Sequence, residues 1–107
     1  MNSFNIPNMT EAVFYSDTRG RNLFGFGVND DDMRPTFFKG DIAVVNPNLP
    51  PRNGDYVVAR RGERCFLRLY IENPSGMLAA TNLAEPPVAA SLYVLLGRVV
   101  ERRRSYK

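Results

Sequence analysis

A chain of 107 residues with one cysteine, no histidine and a formal net charge of +3 has the length of one domain and enough bulk to bury roughly 65% of its unfolded surface without disulfides or metals. The lone Cys65 makes no internal bridge and is expected as a small buried hydrophobe in a reducing compartment, while the missing histidine removes the commonest general base and metal ligand. No apolar run is long enough to cross a bilayer, and the first ten residues lack the basic start and apolar stretch of a signal peptide, so the chain is expected to be soluble and cytoplasmic.

Residues 1–10 are rich in Asn, with Pro and Ser, and only Phe4 and Ile6 offer apolar bulk to pack. They are expected to be a linker remnant, with the folded domain over 11–107. From there, short apolar stretches separated by turn residues recur about every ten residues, an all-β signal with almost no helical periodicity. Strands are expected over 12–15, 23–28, 42–45, 56–60, 63–71, 77–80 and 93–101. Between the third and fourth, three prolines and Asn53-Gly54 forbid a helix and favour a tight turn. Arg61-Gly62 and the stretch Asn73-Pro74-Ser75-Gly76 punctuate later hairpins. The one helical candidate is a single turn around 32–37, with Asp31 or Asp32 available as its cap.

The stretch Val28-Asn29-Asp30-Asp31-Asp32-Met33-Arg34-Pro35-Thr36, continuing through Gly40-Asp41 to Val45, resembles the V-x-G-D-S-M-x-P-T-x-x-x-G-D-x-x-x-V signature of LexA-type self-cleaving repressors and the related signal peptidases, the S24-type family. The resemblance continues through Asn46-Pro47, Pro51-Arg52-Asn53-Gly54-Asp55-Tyr56-Val57-Val58-Ala59, Phe66-Leu67-Arg68-Leu69 and Leu96-Gly97-Arg98-Val99-Val100, so it covers about residues 24–101. It implies a mostly β fold, a LexA/signal-peptidase-like antiparallel β domain with at most one short helical turn.

The same resemblance implies that the family's nucleophilic serine stands at Asp32 and its general-base lysine at Leu67. A serine attacks an amide only when a base takes its proton, and a lysine is such a base only when burial disfavours its charge. Leu67 has no titratable group, and a carboxylate at 32 is a far weaker nucleophile. No alanine or cysteine in the chain is followed by glycine, so the family's scissile dipeptide is missing as well. The expectation is a degenerate, non-enzymatic domain with vestigial dyad positions.

Other residues carry weaker signals. Asp30 and Asp32 would share one face of an extended backbone, yet two carboxylates fall short of the six or more oxygens of a calcium site, so neither metal nor cofactor is expected. A carboxylate in a partly dry cleft needs a partner, and Arg34, Lys39 and Arg68 are the candidates. Of Phe37 and Phe38 at least one should enter the core. Arg98, Arg102, Arg103, Arg104 and Lys107, opposed only by Glu101, make a basic end that reads either as a solvated tail or as a phosphate-attracting patch. The stretch from Leu92 to Val100 is apolar on both faces, so it must be central in a sheet or covered by something else.

The resemblance implies that the chain is the C-terminal domain of a temperate-phage repressor, acting in the bacterial host cytoplasm. Its role would be to dimerise, and to assemble further, so that an attached N-terminal DNA-binding domain occupies operators cooperatively. Leu92, Val94, Leu96, Val99, Val100 and Phe38 are the expected self-association residues. A repressor unable to cut itself would be inactivated by another route, for instance an antirepressor protein. Two alternatives stay open: a divergent self-cleaving peptidase, and a nucleic-acid-binding module using the basic tail.

Overall fold

The computed structural model describes residues 13–16, 22–72 and 75–104. They form an eight-stranded sheet: β1 (Val13–Ser16), β2 (Asn22–Gly27), β3 (Ile42–Asn46), β4 (Tyr56–Arg61), β5 (Arg64–Ile71), β6 (Met77–Ala79), β7 (Val88–Ala89) and β8 (Val94–Arg103). The spatial order is β1-β2-β3-β8-β4-β5-β6-β7, and every pair is antiparallel. The last strand is therefore the central one, wedged between β3 and β4. Its two apolar faces follow from that position, because a central strand must satisfy a buried layer on either side.

Two apolar layers flank the sheet. The larger gathers Phe24, Phe26, Val28, Met33, Phe37, Ala43, Val45, Val58 and Leu67, with Leu96, Val99 and the half-buried Cys65 packed on it. The smaller holds Val57, Ala59, Leu78 and Ala90, with Tyr70, Tyr93 and Leu95 against it. Val57 and Val58, neighbours in β4, are both fully buried because alternate residues of a strand serve opposite faces. Complete burial of a valine or leucine contributes on the order of 1.5–3 kcal/mol.

β8 deviates from regular pairing twice, with register shifts opposite Val44/Val45 and opposite Val58/Ala59. Each shift gives β8 an extra residue, bending it to follow both neighbours. Gly97 lies between the two irregularities, and a Cβ there would stand 2.6 Å from a Val45 methyl and 2.8 Å from the Asn46 carbonyl oxygen. Only glycine lets β8 approach β3 so closely.

Several local expectations need correction. Residues 31–37 make a turn closed by the Phe37 N–H donating to the Met33 carbonyl at 3.0 Å, but no helix; among the described residues the single 3₁₀ turn is at Ala90–Leu92. Neither Asp31 nor Asp32 caps the earlier turn: Asp30 Oδ1 accepts the Asp32 N–H at 3.0 Å. The β4–β5 hairpin pairs Arg61 with Arg64, so its loop is Gly62-Glu63, one residue later than the expected Arg61-Gly62. The basic end is not simply a tail, since Arg102 and Arg103 pair with Ala43 and Ile42 as the last residues of β8. Positions 1–10, 73–74 and Lys107 lie outside the described residues.

Candidate functional site

The loop between β2 and β3 carries Asp30, Asp31 and Asp32, and their carboxylates take different partners. Asp30 serves the loop's own backbone, and Asp31 lies 4.0 Å from Arg34 in an exposed pair. Asp32 reaches across to β5, where its Oδ2 accepts from Arg68 Nη2 at 3.3 Å. Of the three cations considered for that carboxylate, Arg68 is the one that meets it. The pair is part-buried, with side-chain exposures of 15% for Arg68 and 27% for Asp32.

Asp32 and Leu67 are brought together through this arginine. Arg68 Nη1 donates to the Leu67 carbonyl at 2.9 Å while Nη2 holds Asp32, so one guanidinium spans both positions. The Leu67 side chain points the other way, into the larger core layer, and Met33 beside Asp32 packs in that same layer. β6 pairs only with Leu69–Ile71 of β5, so β5 is a sheet edge at Leu67, and Arg68 caps a carbonyl that another strand would otherwise take.

Thr81 and Asn82 complete the cleft, and nothing in their sequence pattern singled them out. Asn82 donates its backbone N–H to the Asp32 carbonyl and its side-chain amide to the Asp31 carbonyl, both at 2.8 Å. Thr81 Oγ1 donates to the Arg34 carbonyl at 3.0 Å. From the opposite side Arg102 Nη1 donates to the Thr36 carbonyl at 2.8 Å. The acidic loop is thus clamped at both ends, and its chemistry is that of an ion pair: among the described contacts of Asp32 there is a guanidinium and no neutral base.

Two Gly-Asp turns build the frame behind this loop, by the same device. Gly40 and Gly54 adopt φ of +97° and +93°, a region that favours glycine. Asp41 Oδ2 accepts the Phe38 N–H and Asp55 Oδ2 accepts the Arg52 N–H, each at 2.8 Å. An arginine then meets each carboxylate: Arg104, just past the end of β8, binds Asp41 through two bonds of 2.7 and 2.6 Å, and Arg98 of β8 reaches Asp55 at 3.3 Å. The Arg104 bonds, helped by the Phe38 N–H and by Arg102, hold the Asp41 carboxyl below the usual range despite its burial. Burial pushes the Asp55 carboxyl up, but the Arg52 N–H and the charges of Arg52 and Arg98 outweigh it and lower it.

The expected self-association residues separate into two groups. Leu96 and Val99 face the molecule's own larger core, because the irregularities of β8 turn them inward. Leu92, Val94, Val100 and Phe38 are exposed, at 53%, 49%, 39% and 37%. Phe38 stands between two guanidiniums, Arg34 at 4.6 Å and Arg104 at 4.7 Å from its ring centre, whereas Phe37 is buried. The described arginines of the basic end are engaged within the chain: Arg98 with Asp55, Arg102 with Thr36, Arg103 with Glu101 and Arg104 with Asp41. Among the described residues no helix is long and apolar enough to cross a membrane.

A family model described as Peptidase S24-like matches residues 4–100 of the chain. No curated protein matches it.

Proposed function

Because the chain belongs to the Peptidase S24-like family and presents an ion pair with a buried leucine at the positions that resemble that family's dyad, we propose that it is a non-catalytic assembly domain. In this reading it is the C-terminal domain of a temperate-phage repressor, with 1–10 as linker and 11–107 as the oligomerisation domain. The observation that carries it is the Asp32–Arg68 pair beside the buried Leu67. A serine peptidase needs a neutral base next to its hydroxyl; here a cation faces a carboxylate and the neighbouring side chain is aliphatic.

Self-association gives such a domain its work. Joining two weak DNA-binding modules makes the second contact intramolecular and multiplies apparent affinity by roughly 100 to 10,000 fold. DNA would be met through a separate N-terminal domain, and an antirepressor protein would take the place of self-cleavage as the off-switch. The exposed Val94 and Val100 of β8 and Leu92 of the turn before it support an interface there, with Phe38 as a second candidate.

The test uses two charge substitutions that the geometry tells apart. Leu96→Glu places a charge in the core and is expected to unfold the domain, as followed by circular dichroism. Val94→Glu is expected to leave it folded and lower its mass in sedimentation. A Val94→Glu chain that keeps the wild-type mass, together with Leu92→Glu and Val100→Glu chains that do the same, contradicts this interface. Asp32→Ser combined with Leu67→Lys tests the catalytic half: no efficient self-cleavage is expected, because Asp30 still occupies the family's glycine position and the scissile dipeptide is missing. Rapid, concentration-independent cleavage of that variant would show a cleft otherwise intact.

A further inference from the structure

The β4–β5 hairpin reads Arg60-Arg61-Gly62-Glu63-Arg64-Cys65-Phe66-Leu67-Arg68, and alternation along a strand sends Arg64, Phe66 and Arg68 to one face. The register Arg61↔Arg64 and Ala59↔Phe66 adds Arg61 to that face from β4. Tyr93 joins them, its ring meeting Phe66 edge-on at 5.9 Å. Arg64 lies over the Phe66 ring at 5.0 Å and Arg61 over Tyr93 at 5.6 Å. Arg68 also touches Phe66 but is already committed to Asp32.

Arg61 and Arg64 differ from the arginines at the end of β8. Both are exposed, and among the described residues neither meets a carboxylate, whereas Arg98, Arg103 and Arg104 each do. An exposed guanidinium held over a ring face without a carboxylate partner keeps N–H donors available in the fork that suits phosphate oxygens. On the other side of Tyr93 opens a groove of about 440 Å³ walled by Tyr70, Tyr93, Ala90 and Leu95, with Ser75 and Ser91 at its lining. Cations, aromatic rings and a groove with hydroxyls thus meet at one tyrosine.

We propose that this face binds single-stranded nucleic acid, with phosphates on Arg61 and Arg64 and an unstacked base in the groove beside Tyr93. An acidic peptide would use the two cations but has no need of an aromatic-walled groove. A duplex keeps its bases stacked and cannot enter it. The combination of a positive track with aromatic platforms is the one that single strands use. This surface meets the Asp32 site only through Arg68, and the inference stands whether or not the domain is a repressor fragment.

Fluorescence anisotropy of a labelled oligothymidine of about 12 nucleotides, titrated with the full chain at low salt, tests it. Saturable binding at or below about 100 µM is expected, with a log–log salt slope near −1.4, the value for two neutralised phosphates on a single strand. Arg61→Glu with Arg64→Glu should weaken binding at least about tenfold and flatten that slope. Arg61→Gln with Arg64→Gln repeats the test should the reversed pair unfold. Tyr93→Leu keeps an apolar side chain against the smaller core layer, and should weaken binding by about fivefold or more with the slope unchanged. The proposal is overturned by absence of saturable binding, by binding that survives both arginine pairs, by equal affinity for a duplex, or by polyglutamate competing as well as the oligonucleotide does.

Discussion

Asp41 and Asp32 lie nine residues apart, each facing an arginine, and they have opposite roles. Asp41 is 2% exposed, receives Arg104 through two short bonds and accepts the Phe38 N–H as well. Its charge is out of water and fully paired, so it pins the end of β8 to the turn before β3. Asp32 keeps a quarter of its side chain in solvent and has one contact of 3.3 Å to Arg68. An ion pair of that kind is worth little to stability. The frame of the fold is thus tightly held at Asp41 and the acidic loop loosely held at Asp32, and Asp55, with 23% exposure and a 3.3 Å contact to Arg98, lies between the two.

Removing each arginine should expose this gradient. Arg104→Ala leaves a buried carboxylate with its charge uncompensated and should cost about 3 kcal/mol in urea unfolding. Arg98→Ala should cost about 1 kcal/mol, since water reaches Asp55. Asp32→Ala should fall within about 0.5 kcal/mol of wild type. An Asp32→Ala loss as large as that of Arg104→Ala would erase the distinction, and would mean that the acidic loop is part of the frame.

Acid should reveal the same order. The carboxyls of Asp41 and Asp55 are both lowered in the folded state, so they bind protons more weakly there than when unfolded. Their stabilisation is present above the ordinary carboxylate range and is lost as pH falls through the lowered folded values. Urea midpoints measured from about pH 5 down to about pH 2 should therefore fall, and Asp41→Asn should flatten that fall more than Asp55→Asn does. Equal flattening by the two would show that the buried turn is no better paired than the open one.

What the sequence makes legible depends on how local the cause is. Strands such as β3 and β4 announce themselves as short apolar runs between turn residues, and Gly40-Asp41 and Gly54-Asp55 mark the turns before them because glycine's positive φ is a local demand. β7, two residues long after Pro86-Pro87, is too short to carry a pattern. The final residues of β8 look like a solvated tail because Arg102 and Arg103 are charged; only their pairing with Ala43 and Ile42 makes them strand. That Leu92 to Val100 is apolar on both faces points to a central strand, but which of its side chains turn inward is set by two register shifts that no periodicity displays. Similarly, Arg68 is one candidate among three for Asp32 until β5 is seen at the edge of the sheet, and Thr81 and Asn82 reach the site only through folding.

Because the proposed role is association rather than chemistry, sedimentation equilibrium of the unmodified chain across concentration tests it most directly. The mass is expected to rise from one chain toward two or more, with Val94→Glu shifting the curve to higher concentration. A chain that stays monomeric up to about millimolar, where even a pair held by roughly 4 kcal/mol would form, contradicts it.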